Sequence, residues 1–485
     1  MNPETPVIVG IAHVDQRDAD PANAREPFDL MLAASKRAAD DAGIQGIAPS
    51  SIRVVRGMWP YQNPAAGLAE AIGATHAETV ITPYGGNFVQ TTLNVSALDI
   101  LSGAHDLILL TGAECGQTQA RAAKQGIELD WQSLGGQPDR EIGVDVEMRH
   151  DAEKAIRLGR PIQVYPLFET ALRHARGLTV LQHIEDVSQL WAGFSAVAAQ
   201  NPNAWIQEAK TAEEIRTPSA TNRPVSYPYP KFMNSNNNVD QGAAIIICSV
   251  ARAQALGIDP SKWIFPWAGT DAHDHYFVSN RDNLYSSPAI RLAGNRCLEL
   301  ANLSVSDLDH VDVYSCFPSA VQVAAREMGL DATKPLTVTG GLTWAGGPLN
   351  NYVMHSIVRM AEVLRAAPGQ KGLVTANGGY LTKHAFGVYS TEPPPTDFQH
   401  ADLQTEVDAL PKKDVLQDFD GQATTEAYSV MYGADGPNKA FVACLTADQQ
   451  RTWGIVEDTE TLQEMIEEEF IGRSVNLTGN VASYS

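Results

Sequence analysis

Short runs of β-branched and aliphatic residues, bounded by Gly or Asp, alternate along the chain with Ala-rich segments of helical period. Val7-Ile8-Val9-Gly10, then Phe28 to Ala42, then Val54-Val55 set the pattern. Continuous apolar runs suit strands buried on both faces, and apolar stripes suit helices that cover them. The alternation therefore predicts an α/β architecture.

A loose duplication lies within it. Gly85-Gly86 opens an apolar helical stretch from Phe88 to Leu101, followed by the buried-strand run Leu107-Ile108-Leu109-Leu110. Gly346-Gly347-Pro348 opens a similar stretch to Leu364, followed by Gly372-Leu373-Val374-Thr375 and Gly378-Gly379. The same unit, Gly-Gly turn then helix then strand, predicts one fold used twice. The halves are expected at 1–250 and 251–392.

A long irregular section interrupts the first half. It mixes the charged segment Asp139–Arg160 with the Pro/Tyr-rich stretch Pro224 to Pro230. Its length suits an inserted loop domain, at about 117–232, better than a structureless loop. Pro393-Pro394-Pro395 and the polar residues after it read as a linker. Beyond it, residues 400–485 hold alternating runs (Thr425 to Met431, Lys439 to Leu445, Thr452 to Val456) with turn signals at Gly433, Asp435 and Gly436. These predict a small antiparallel β-barrel. The acidic run Glu464 to Glu469 reads as a solvated helix face.

Composition narrows the function. The 485 residues carry 35 Lys and Arg against 57 Asp and Glu, a formal net charge of −22. Neutralising phosphates needs clustered cations, so a nucleic-acid partner is not expected. The five cysteines are scattered with no CxxC, which argues against a disulfide framework and for a reducing, cytoplasmic setting. No apolar run has the length of a membrane helix, and no signal peptide or membrane partner is expected. Walker A, GxGxxG and GxSxG patterns are absent, leaving nucleotide hydrolysis, dinucleotide redox and α/β-hydrolase chemistry without support.

Several stretches together resemble the thiolase superfamily, nearest its sterol-carrier-protein type, from the N-terminus to about Tyr389. They are Ser102 to Glu114, Asp240 to Ala244, Val313-Tyr314-Ser315-Cys316-Phe317, and Gly340-Gly341 through Gly346-Gly347-Pro348. The resemblance implies a thiolase fold: two similar α/β halves in five layers, α/β/α/β/α, with a loop domain inserted in the first. The remainder is similar to the extra β-barrel domain of some thiolase-like proteins. An acyl-CoA thioester is the implied ligand, with no cofactor beyond the CoA of the substrate. A monomer or homodimer is expected, with the barrel available to a protein partner.

Thiolase chemistry uses a thiolate nucleophile, a His–Asn pair and a second cysteine as acid/base. Carried over by position, the nucleophile falls on Gly86, or within a residue of it. The His of the Gly-His-Pro motif falls on Gly347, the Asn of Asn-Glu-Ala-Phe on Tyr314, and the acid/base Cys on Ala376. None of these side chains attacks a thioester as a thiolate does. Ordinary thiolase activity is therefore expected to be absent, although the resemblance alone suggests an acetyl-CoA acetyltransferase.

Other groups are left to carry chemistry. Backbone N–H groups of Gly86 and Gly378 are expected to form an oxyanion hole. Tyr314 is the first candidate for proton transfer, since thiolase-fold aldolases acting on steroid side-chain CoA esters resemble this chain in having Tyr in the Asn slot. They also have Tyr in the His slot, where this chain has Gly347. His384, on a loop expected after the second Gly-Gly strand, is the second candidate, with Lys383 beside it facing solvent or the CoA phosphates. His355 reads as buried structure, and Cys316 and Cys115 as packing. His273 and His275 have metal-like spacing on a strand but no third ligand cluster nearby, so no metal site is expected. Two functions follow: cysteine-independent carbon–carbon cleavage or acyl transfer on an acyl-CoA, or silent acyl-CoA binding and scaffolding.

Overall fold

A computed structural model of the chain describes residues 1–17 and 20–484. Two sheets face each other across a central pair of helices. The first has six strands in the order Pro6–Asp15, Asp240–Ser249, Leu107–Cys115, Ser51–Val54, Glu78–Ile81, Arg140–Glu141. The second has five, in the order His310–Asp312, Lys371–Gly378, Lys383–Ser390, Phe265–His273, Gln399–Asp402. Helices Phe88–Leu101 and Tyr352–Ala366 pack between the sheets and touch both. Helix Pro27–Ala42 covers the outer face of the first sheet and helix Pro288–Leu300 that of the second. These are the five α/β/α/β/α layers of a thiolase fold.

Each central helix follows one of the Gly-Gly turns and precedes a buried strand. Helix Phe88–Leu101 is buried on most of its circumference, as a helix between two sheets must be. Ser96 accepts from Arg53 of the first sheet, and two other buried polar groups bond the second. Gln90 accepts from the Tyr389 hydroxyl at 2.7 Å, and Asn94 donates to Asp271 at 3.0 Å. The helix that starts at Gly85-Gly86 is thus locked to the sheet whose strand Lys371–Gly378 runs into Gly379.

The C-terminal strands form a barrel, Gly421–Tyr432, Pro437–Leu445, Arg451–Val456, Ser474–Thr478 and Val481–Ser483, with helix Thr459–Glu467 packed on it. Two further strands, Pro224–Tyr227 and Tyr229–Pro230, join this sheet, Val430 pairing with Tyr227. The Pro/Tyr-rich stretch of the inserted section therefore belongs to the barrel's sheet. Buried Arg173 of helix Pro161–Ala175 reinforces the junction, donating to the hydroxyls of Tyr227 and Tyr428 and to Glu469. The expected linker is also shorter than its polar composition suggested, since Gln399–Asp402 adds a parallel strand beside Phe265–His273. Among the described residues, no helix is long and apolar enough to cross a membrane.

Candidate functional site

Gly85-Gly86 and Gly378-Gly379 meet at one cavity of about 610 Å³. Gly85, Gly86, Gly378 and Gly379 form part of its wall, joined by Tyr314, Lys383 and Cys316 from the body and Tyr165 from helix Pro161–Ala175. Asn350 holds the first glycine loop, accepting from Gly85 N–H at 3.2 Å while donating to Arg56 O at 2.7 Å. The Gly86 N–H has no acceptor among the described residues. A free amide before a helix N-terminus is an anion donor in waiting.

The close approaches explain why glycine stands at these points. A Cβ on Gly86 would lie 2.6 Å from the Tyr314 hydroxyl oxygen, and closer still to the carbonyl oxygen of Asn377. A Cβ on Gly378 would lie 3.2 Å from the Gly86 nitrogen and would strike Asn87 Oδ1. The two backbones touch because neither residue has a side chain. Gly347 sits behind the wall: its N–H donates to Asn236 O at 2.9 Å, and a Cβ there would meet Oδ1 of Asn237, which lines the cavity, at 3.0 Å. Ala376 is buried and borders a separate small void with Tyr314 and His384.

Tyr314 follows strand His310–Asp312, and its backbone N–H donates to Thr375 Oγ1 at 2.9 Å. Its ring meets Tyr352 edge-on at 5.5 Å. The hydroxyl has no hydrogen-bond partner among the described residues. Burial holds the phenol well above its ordinary pKa, so the oxygen keeps its proton.

His384 is not on a loop. Strand Lys383–Ser390 begins one residue before it, and His384 pairs with Asn377 across the ladder. Successive strand side chains point to opposite faces, so Lys383 and His384 part company. His384 is buried, its Nε2 3.6 Å from Asp274 Oδ2 and 3.5 Å from Ser287 Oγ. Asp274 in turn accepts from Ala289 N at the start of helix Pro288–Leu300. Burial works against the Asp274 carboxylate, but His384, Arg281 and Ser287 together hold its pKa below the ordinary value. His384 therefore ties strand to helix, while Lys383 reaches the large cavity.

Lys383 is 7 % exposed, its Nζ donating to Tyr84 O at 2.8 Å and lying 4.8 Å from the Phe88 ring centre. It forms no ion pair among the described residues. Burial pushes its pKa down to about 8, against the attraction of Asp145. The turn before it is clamped from two sides. Tyr165 accepts from Leu381 N–H and Asn377 Nδ2 at 2.9 and 3.0 Å and donates to Gly379 O at 3.1 Å. Buried Arg281 donates to Tyr380 O at 2.8 Å and to Thr382 Oγ1 at 3.1 Å. Neither clamp was legible as a motif, since both lie far away in sequence.

The remaining candidates are soon placed. Cys316 lines the cavity, but burial pushes its thiol up to about 12. Cys115 is buried away from it, and burial raises its thiol well above the ordinary value. His355 is buried against His13, Nδ1 to Nδ1 at 2.7 Å. His273 bonds Asp274 O and stacks on Tyr276. Among the described residues, no three His, Cys, Asp or Glu side chains gather as metal ligands would.

Comparison with known proteins now gives the family. A monomeric SCP2-thiolase-like protein type 1 from Mycobacterium smegmatis superposes with a TM-score of 0.86 at 30 % identity, covering 100 % of both chains. The chain belongs to the SCP2-thiolase-like proteins of type 1. Residues 402–480 match the thiolase-like protein type 1 additional C-terminal domain, which is the barrel. An acetyl-CoA acetyltransferase of Methanocaldococcus jannaschii is 22 % identical over 317 residues, 62 % of this chain and 70 % of that one. The structure described as an Ltp2-ChsH2(DUF35) aldolase shares the fold, with a TM-score of 0.62 at 19 % identity over 80 % of this chain and 98 % of that chain. Membership joins this type 1 chain to a superfamily of acyl-CoA enzymes, whereas its own cavity holds glycine, tyrosine and lysine.

Proposed function

We propose that the cavity binds an acyl-CoA thioester and cleaves a carbon–carbon bond in it without a covalent acyl-enzyme. The observation that carries this reading is the Tyr314 hydroxyl, unpartnered and seated against Gly86, where it bars any side chain at that position. A thiolase-like neighbour is described as an aldolase, but at 19 % identity it supports the fold alone.

A β-hydroxyacyl thioester suits these groups. Neutral Lys383 takes the proton of the β-hydroxyl. The bond between the α and β carbons breaks, the β carbon leaves as an aldehyde or ketone, and the electron pair moves onto the thioester as an enolate. The Gly86 N–H, free among the described residues and with Gly378 beside it, stabilises the enolate oxygen, a contribution of about 2.7–4 kcal/mol per donor in comparable holes. Tyr314 gives its proton to the α carbon, and the proton on Lys383 returns to Tyr314 through water. The enzyme ends unchanged, and no thiol is needed. Arg160, exposed and lining the cavity, supports this reading as a cation for the negative end of a CoA.

The test is incubation with β-hydroxyacyl-, β-oxoacyl- and saturated acyl-CoA esters, reading products and intact protein mass. Cleavage of the β-hydroxy esters alone, with unmodified protein, is expected. A second reading, binding without turnover, is favoured by the raised pKa of Cys316, which leaves the cavity without a ready thiolate. It requires every ester to bind and remain intact.

A further inference from the structure

Lys383 is the only buried lysine among the described residues. Buried lysines are ordinarily paired with a carboxylate, and this one has none among the described residues. Its ammonium has one acceptor, Tyr84 O at 2.8 Å, and an aromatic face, Phe88, at 4.8 Å. Asp145 and Arg160 are the charged groups that share its cavity, and the tyrosines at 84, 165, 314 and 380 and Cys316 are the other titratable ones. A methionine would fill the same apolar space with no ammonium to desolvate. What the amine adds, on a wall of an otherwise largely apolar cavity of about 610 Å³, is nucleophilicity.

We propose that Lys383 forms an imine with the carbonyl carbon of an aldehyde or ketone bound in this cavity. The inference rests on reading the cavity as a substrate site, but not on thioester cleavage. The amine nitrogen attacks the carbonyl carbon, a C–N bond forms, and the carbonyl oxygen takes up a proton. The resulting carbinolamine loses its oxygen as water, using a second proton. The amine gives up one proton, so overall an aldehyde or ketone, one amine and one proton become an iminium and water. Tyr314, protonated and unpartnered at the same wall, is the nearby acid that delivers a proton to the departing oxygen. An iminium at this point is an electron sink for the adjacent carbon–carbon bond. The substrate class thus extends to β-hydroxy ketones and aldehydes that carry no thioester. Burial, which pushes Lys383 down to about 8, keeps part of it as free amine near neutral pH.

Two carbonyl probes test this on the intact protein. Benzoylacetone condenses with an accessible free amine to a stable, ultraviolet-absorbing enaminone. Benzylacetone followed by borohydride leaves a secondary amine that peptide mapping locates. The expected result is one adduct per chain at Lys383, formed about ten-fold or more faster than at any surface lysine. The rate should rise with pH through about 8. Lys383→Met should abolish it, and Lys383→Arg, which keeps the charge and a donor to Tyr84 O, should abolish it equally. Adducts spread over surface lysines, or none at Lys383, overturn the proposal. An adduct at Lys383 without cleavage of any CoA ester would leave this inference standing and remove the thioester reading. Ester cleavage without an adduct would do the reverse.

Discussion

The Tyr314 hydroxyl stands 2.6 Å from where a Cβ on Gly86 would begin, so the two positions are coupled. Restoring a nucleophile is then not a matter of one substitution. Gly86→Cys should cost about 1–3 kcal/mol by overpacking and leave the protein mass unchanged after exposure to an acyl-CoA. Adding Tyr314→Asn should recover only part of that stability, because the Asn377 carbonyl oxygen still crowds the site. Urea midpoints and intact mass check both statements.

Tyr314→Phe removes an oxygen that bonds to nothing among the described residues. Stability should move by no more than about 1 kcal/mol, whereas turnover of a cleaved ester should fall about a hundred-fold or more. A large loss of stability with unchanged turnover would make Tyr314 a packing residue.

Lys383 gives a pH signature in stability as well as in rate. Its pKa is about 8 in the folded chain and about 10.4 when unfolded. Between these values the unfolded chain holds the extra proton, so native stability rises with pH across that window and is flat below it. Lys383→Met should abolish that rise and stabilise the protein most at or below pH 8. Chemical denaturation from pH 7 to about 10.5 measures it.

His384→Gln should behave differently from Lys383→Met. Loss of the His384–Asp274 contact removes a tie between strand Lys383–Ser390 and the start of helix Pro288–Leu300, at a cost of about 1–3 kcal/mol. Ligand affinity should be preserved, because His384 does not line the large cavity. Calorimetric binding with an acyl-CoA against thermal melting separates the two effects. Lost affinity at unchanged stability would instead put His384 in the site.

Much of the fold was readable because its signals are local. Gly85-Gly86 and Gly346-Gly347 do precede the two central helices, and the runs Leu107 to Leu110 and Gly372 to Thr375 are the buried strands after them. The role of Pro224–Tyr227 was not readable, since its partner Val430 lies some two hundred residues on in a different domain. The site failed at one register. Whether 383 or 384 faces the cavity depends on where a strand begins, and that start is fixed by the turn through Gly379 and Leu381, both left-handed, which Tyr165 and Arg281 hold. Leucine gives no hint of such a turn, and the two clamps come from distant segments.

The most direct measurement is cleavage of a β-hydroxyacyl-CoA in deuterium oxide, with small-molecule products and intact protein followed together by mass spectrometry. The account expects an aldehyde or ketone, a shortened acyl-CoA carrying one deuterium on its α carbon, and a protein of unchanged mass. It expects all product formation to collapse with Tyr314→Phe. An acylated protein, or an ester left intact by a folded enzyme that binds it, would contradict the account.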